Sequence, residues 1–213
     1  MFELLAKVGH AFEAGGVFIY PIHIIAILTL AVTIERVYVL YIRSSMNIKN
    51  FLQQLGPSIA RGDLQSAMQF CDSIAAPGAR VTKSLLVKAI GKGEREDIDA
   101  MIEASLARES HPIEKRTSYL SMLANIATLL GLLGTISGLI ISFSAAAKSD
   151  PTQKAELLAL GISEAMNCTA YGLCVAIFGL VTYAFLQGKT QSLIDELKET
   201  AYTVKTLLPL KSK

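Results

Sequence analysis

Charge is scarce in this chain: Asp, Glu, Lys and Arg together make up 18% of 213 residues, against 52% hydrophobic, and Trp is absent. With a mean hydropathy of +0.44, that balance describes a membrane protein more readily than a water-soluble domain. Cysteine is sparse as well. Of the 3 cysteines, Cys71 stands apart, while Cys168 and Cys174 on one helix would lie about 9 Å apart by axial rise, beyond disulfide reach, so free thiols are expected throughout. No Cys/His spacing suits zinc, no glycine pattern suits a phosphate or dinucleotide, and no nucleophile elbow occurs. These absences leave no visible enzyme chemistry, and no metal, cofactor or nucleic-acid partner is expected. A cleavable signal peptide is not expected either, because Glu3 follows Met1 where a basic segment would stand, and the first apolar run ends in Glu35-Arg36 rather than in a small-residue cleavage motif.

What the chain does have is long apolar runs. Residues 17–34, extendable to 42 past Glu35 and Arg36, residues 117–147 and residues 157–188 are each long enough for a hydrocarbon core that takes about 20 helical residues. Lys and Arg crowd the segment from Arg43 to Arg116 and the tail from Lys189 to Lys213, whereas the other side carries only Lys7, Lys148 and Lys154. The positive-inside rule then puts the N-terminus outside, and the large loop and the C-terminus in the cytoplasm. The expected fold class is an all-α membrane protein with three transmembrane helices and long cytoplasmic helical extensions. Its expected divisions are an outer amphipathic helix over 1–16, spans over 17–42, 117–147 and 157–188, a cytoplasmic helical domain over 43–116, an outer loop over 148–156 and a cytoplasmic C-terminal helix over 189–213.

Within the cytoplasmic segment, breaks fall at Arg61-Gly62-Asp63, at Ala75 to Gly78 and at Gly91 to Gly93. Leu64, Ala67, Met68 and Cys71 are spaced as one helix face, as are Ile98, Met101, Ile102 and Leu106, with Ser105 in the stripe. Such stripes predict bundle core. From Glu94 the helical pattern runs through Arg108 into the second span, with Pro112 as its one kink candidate.

The chemistry concentrates in the third span, where Glu164 is the acid in a long apolar run. A carboxylate at bilayer depth costs several kcal/mol unless protonated, paired or facing water, so an intramembrane acid points to an ion pathway. At 100° per residue, Glu164, Asn167, Cys168, Tyr171, Val175 and Thr182 share one face. Ala165, Thr169, Gly172, Ala176 and Gly179 form a second, small face suited to a close neighbour, and Gly172→Leu is expected to open a closed oligomer. On the second span Thr128, Gly131, Thr135, Gly138 and Ser142 align, with Gly134-x-x-x-Gly138 fitting a helix contact. That stripe serves either packing alone or a lined pathway beside the Glu164 helix. His23, at the outer end of the first span, is expected as a polar tip near the headgroups, with a proton-relay role as the alternative. A self-sufficient small channel and a purely structural scaffold stand as rival readings to a stator.

Gly131-Leu132-Leu133-Gly134-Thr135, then Gly161-Ile162-Ser163-Glu164-Ala165 and Thr169-Ala170-Tyr171-Gly172-Leu173, resemble the paired membrane motifs of the MotA/TolQ/ExbB proton-channel family. Three spans with one large cytoplasmic loop look like its TolQ/ExbB branch. The resemblance implies that Thr135, Glu164 and Thr169 belong to the lumen and to proton flow. It also implies a homo-pentamer in the bacterial inner membrane, around two copies of a TolR/ExbD-like single-span partner whose aspartate carries the proton. Thr128 and Phe178 stand where the family commonly has proline, Asn167 where it has an apolar residue, and Ala184 where it has asparagine.

Overall fold

The computed structural model describes residues 16–91 and 95–208. The outer helix expected over 1–16 thus lies outside the described residues except for Gly16, as does the tail from residue 209. Among the described residues every regular element is helical: α1 (Ile19–Val37), a π-helical continuation (Tyr38–Arg43), α2 (Ile48–Ala60), α3 (Leu64–Asp72), α4 (Pro77–Ile90), α5 (Arg95–Glu114), α6 (Thr117–Lys148) and α7 (Pro151–Leu207). Three helical stretches, Ile19–Ala60, Glu96–Lys148 and Pro151–Leu207, are long and apolar enough to cross a membrane. The protein is therefore an all-α membrane protein. With 57 residues, α7 extends about 85 Å at 1.5 Å per residue, far more than the roughly 30 Å that a hydrocarbon core needs.

The chain forms two compact units, one of the residues up to Ile34 with Arg116–Ala184, the other of Glu35–Lys115 with the residues from Phe185 onward. In the first, α1, α6 and α7 close on a core of Ile22, Ala124, Ala127, Cys168, Val175 and Ala176, flanked by Phe18, Ile25, Ala26, Leu130 and Tyr171. Leu129, Leu132, Ile136 and Ile140 of α6 and Met166, Ile177 and Val181 of α7 remain exposed. Apolar surface of that extent belongs against lipid or other membrane helices.

In the second unit, α2 to α5 and the end of α7 bury Leu55, Cys71, Leu85, Ile98, Ile102, Leu197 and Val204. Asp63 starts α3 by accepting the Ser66 N–H at 3.0 Å, and the Ser66 hydrogen bonds hold its carboxyl below the usual carboxylate value. Burial, reinforced by the Asp72 charge, pushes the Cys71 thiol up to about 11, so at neutral pH it stays an inert apolar side chain. Lys205 of α7 pairs with Asp99 of α5, and Arg80 of α4 meets Glu109 of α5 at 2.6 Å.

The helix leading into the second span is not continuous. Pro112 stays inside α5, and the break comes after it, where Arg116 takes a left-handed backbone with φ 69°. A helix end leaves its last carbonyls without intrahelical donors, and here Arg36 supplies them. Its guanidinium, 4% exposed, donates to the carbonyls of Pro112 at 3.4 Å, Ile113 at 3.5 Å and Lys115, while Glu35 pairs with it at 3.3 Å. Nη1 meets all three carbonyls while Nη2 takes Glu35, so one planar fork ties the helix end to the acid beside it, and a cation suits the negative end of a helix. Arg36→Leu should therefore destabilise the protein by about 2 to 4 kcal/mol through orphaned carbonyls, with faster hydrogen exchange around residues 112–118. Arg36→Lys should recover part of that loss. Unchanged exchange in Arg36→Leu would show that the break is held by other groups.

Candidate functional site

The second and third spans meet through small residues in antiparallel order. Gly138 faces Ala165, Gly131 faces Gly172 and Ala124 faces Gly179, with Cβ-level separations of 3.1, 3.4 and 3.1 Å for a methyl added at Gly138, Gly131 and Gly179 respectively. Antiparallel packing follows from the short connection at Ser149 and Asp150, where Pro151 opens α7 with the fixed φ that suits a helix start. The closest approach of backbone to backbone is at Gly172, whose added Cβ would stand 2.7 Å from the Ala127 carbonyl oxygen and 3.0 Å from the Gly131 Cα. So the small face expected to meet a neighbouring subunit is occupied within the protomer by α6.

Each predicted polar residue now has a place. Thr169 donates its hydroxyl hydrogen across the helix pair to the Gly131 carbonyl at 2.9 Å. Thr135, half-buried, donates to Leu132 of its own helix at 2.6 Å, Ser142 to Gly138 at 2.7 Å and Thr128 to Ala124 at 3.2 Å. Donating the hydrogen to a backbone carbonyl leaves each oxygen's lone pairs as the group on offer. Ser142 is buried and Thr128 exposed, so this stripe is not one continuous lining in the protomer. Gly134 lies against the Cys168 sulfur, where an added Cβ would overlap it.

The face predicted around Glu164 divides. Cys168 is buried in the core rather than lining a polar seam, with Gly134 making room for it. Glu164 itself is exposed and Asn167 half-buried. The Glu164 carboxylate lies over Gly16, whose φ of +65° and close contact with Oε1 both favour a residue without a side chain. Tyr171 is half-buried, with its hydroxyl 2.8 Å from His23 Nδ1. Periodicity along one helix carries no signal for that last pair, since its members are 148 residues apart; the one hint in the sequence was a histidine inside an apolar run.

An ionisable residue in an apolar span, beside a helix pair that carries hydroxyls, can hold and pass protons. Comparisons with known proteins agree on the setting. A biopolymer transport protein ExbB homolog from Methanothermobacter thermautotrophicus is 26% identical over 88% of this chain, which spans 65% of that protein's length. The biopolymer transport protein exbB1 of Vibrio cholerae is 27% identical over 76% of this chain and 71% of its own. In fold, the chain matches a solved structure of C. jejuni MotAB with a TM-score of 0.60 at 17% identity, over 84% of this chain and 70% of that one. The sequence model of the MotA/TolQ/ExbB proton channel family matches residues 71–199, more than half of the chain, with all of α6 and most of α7, on which Thr135, Glu164 and Thr169 stand, and the chain is a member of that family.

Proposed function

We propose that this chain is the channel-forming stator subunit of an inner-membrane motor, which lets protons run down their gradient and turns that flow into mechanical work across the envelope. The observation that carries this reading is Glu164, an exposed carboxylate in a membrane span, on a helix packed through glycines onto a second helix that offers Thr135. The energy is sufficient: one charge crossing 100 mV releases about 2.3 kcal/mol. The subunit works as a homo-pentamer around two copies of a TolR/ExbD-like single-span partner, whose carboxylate takes and releases the transported proton. Thr135, Glu164, Asn167 and Tyr171 line the pathway, Thr128 lies on the exposed side of α6, Ser142 and Thr169 hold the α6–α7 seam behind it, and Gly131, Gly134, Gly138 and Gly172 let its walls approach.

In this arrangement the Thr135 oxygen, its own hydrogen committed to Leu132, accepts from the partner's acid while that acid is protonated and loses the bond when the proton leaves. Glu164 lies toward the outer end of its span and serves as the entrance. The N-terminus and the α6–α7 connection face outward, and the α2–α5 bundle and the C-terminus lie in the cytoplasm. Reporter fusions test the orientation: one at Asp150 should read external, and those near Gly91 or after Lys213 cytoplasmic. Proton uptake into vesicles holding the chain and its partner tests the activity, which Glu164→Ala should abolish. Uptake unaffected by Glu164→Ala would favour a scaffold that bonds through this side chain.

A further inference from the structure

We propose that the first span takes part in proton handling and that His23, bonded to Tyr171, is a further residue of the pathway, an inference that rests on the channel reading above. Two contacts carry it. In the turn just before α1 the Glu164 carboxylate lies over Gly16, and further in His23 Nδ1 stands 2.8 Å from the Tyr171 hydroxyl, with ring centroids 6.2 Å apart and planes at 21°. Glu164 follows Gly16 by the same 148 residues by which Tyr171 follows His23. The two helices therefore run parallel in one register, and both contacts fall on a single line down the α1–α7 interface, about 10 Å apart by axial rise. Glu164 and Tyr171, which share a face of α7, are both met by α1.

An ionisable side chain in a membrane span carries a cost that function ordinarily explains, and histidine is the side chain that ordinarily changes charge between about pH 5 and pH 8. With Nδ1 bare, the ring accepts the Tyr171 hydroxyl hydrogen. When a proton arrives from the Glu164 side and Nδ1 carries it, the ring becomes the donor, the phenol oxygen accepts, and the hydroxyl hydrogen turns to another acceptor. The ring then gives that same Nδ1 proton to the partner's carboxylate, directly or through water, and returns to its neutral form with Nδ1 bare and accepting from Tyr171 again. Tyr171 keeps its hydrogen throughout and only reorients, so charge and atoms balance in every cycle.

Among the described residues, the titratable groups near the pair on α7 are Glu164, Cys168, Cys174 and Tyr171 itself; α6 brings none over residues 121–147; on α1, Tyr20 lies about one turn outward. Both His23 and Tyr171 have further interactions as well.

The experiment is proton flux through the full-length complex in lipid vesicles, with the outer pH set between about 5.5 and 8, for the wild type, His23→Gln, Tyr171→Phe and Glu164→Gln. Glutamine keeps a hydrogen bond to Tyr171 but cannot titrate. His23→Gln should assemble, conduct at about a tenth of the wild-type rate or less and lose its pH dependence across that window, while Tyr171→Phe should displace the pH dependence. Wild-type flux with an unchanged pH profile in His23→Gln overturns the proposal, and if Glu164→Gln is impaired in the same series the channel reading survives it. Absence of flux in the wild type removes both. Should the variants fail to assemble, nitrogen NMR of histidine-labelled wild-type protein decides: a His23 ring that changes protonation over the same window supports the proposal, and one fixed in a single state overturns it.

Discussion

Gly172→Leu should leave the protomer unable to close its α6–α7 pair, and the loss should appear in the stability of the single chain before any question of assembly arises. The reason is what surrounds the site. An added Cβ meets the Ala127 carbonyl oxygen at 2.7 Å and the Gly131 Cα and N at 3.0 and 3.3 Å, all backbone, so no side chain can swing away. Overpacking a core with side-chain neighbours costs about 1 to 3 kcal/mol; here the helices must part, and the contacts at Gly138 with Ala165 and at Gly179 with Ala124 go with them. A penalty above about 3 kcal/mol is expected, read as a lowered midpoint of denaturation in detergent. Gly188, with nothing within 4 Å of its would-be Cβ, is the control on the same helix, where alanine should stabilise by up to about 1 kcal/mol through helix propensity alone. Equal stability of Gly172→Leu and wild type would mean that the two spans do not pack at this seam.

The small-residue stripe was legible because close helix contact leaves a periodic mark in one helix, but its partner was not, since the same stripe suits a neighbouring subunit or the same chain. The structure assigns it to α6. The three apolar helices were legible from the scarcity of charge, and Glu164 from being an acid in an apolar run. Less legible were features made by residues far apart in sequence. Neither glycine nor proline stands at Lys115-Arg116, so the pattern pointed to Pro112 instead; the break is held by Arg36, a side chain from the end of another helix. Cys168 sat on the polar face by angle, yet it fills the hollow left by Gly134, because a thiol is small and weakly polar enough to act as core. His23 read as a headgroup tip and is instead joined to Tyr171.

Thr135→Val and Thr169→Val should differ, although the two threonines look equivalent in sequence. The Thr169 hydroxyl ties α7 to the Gly131 carbonyl of α6 at 2.9 Å, so valine there removes an interhelical hydrogen bond, worth about 0.6 to 2 kcal/mol in a membrane, and should lower both stability and flux. The Thr135 hydrogen goes to Leu132 of its own helix at 2.6 Å, a bond the helix can do without, because that carbonyl also belongs to the backbone ladder. Thr135→Val should then keep wild-type stability and assembly while losing proton flux, because on the proposed function what disappears is an acceptor for the partner's protonated acid. Glu164→Gln keeps the shape over Gly16 and the hydrogen bonding but cannot titrate. Measured side by side for denaturation midpoint and vesicle proton uptake, the variants sort the roles. Full flux in Glu164→Gln with none in Thr135→Val would make the glutamate structural and leave the proton wholly to the partner's acid. If Thr135→Val instead loses stability while Thr169→Val does not, the two hydroxyls have exchanged the parts that their hydrogen bonds assign them, and full activity in all three variants would remove the channel reading altogether.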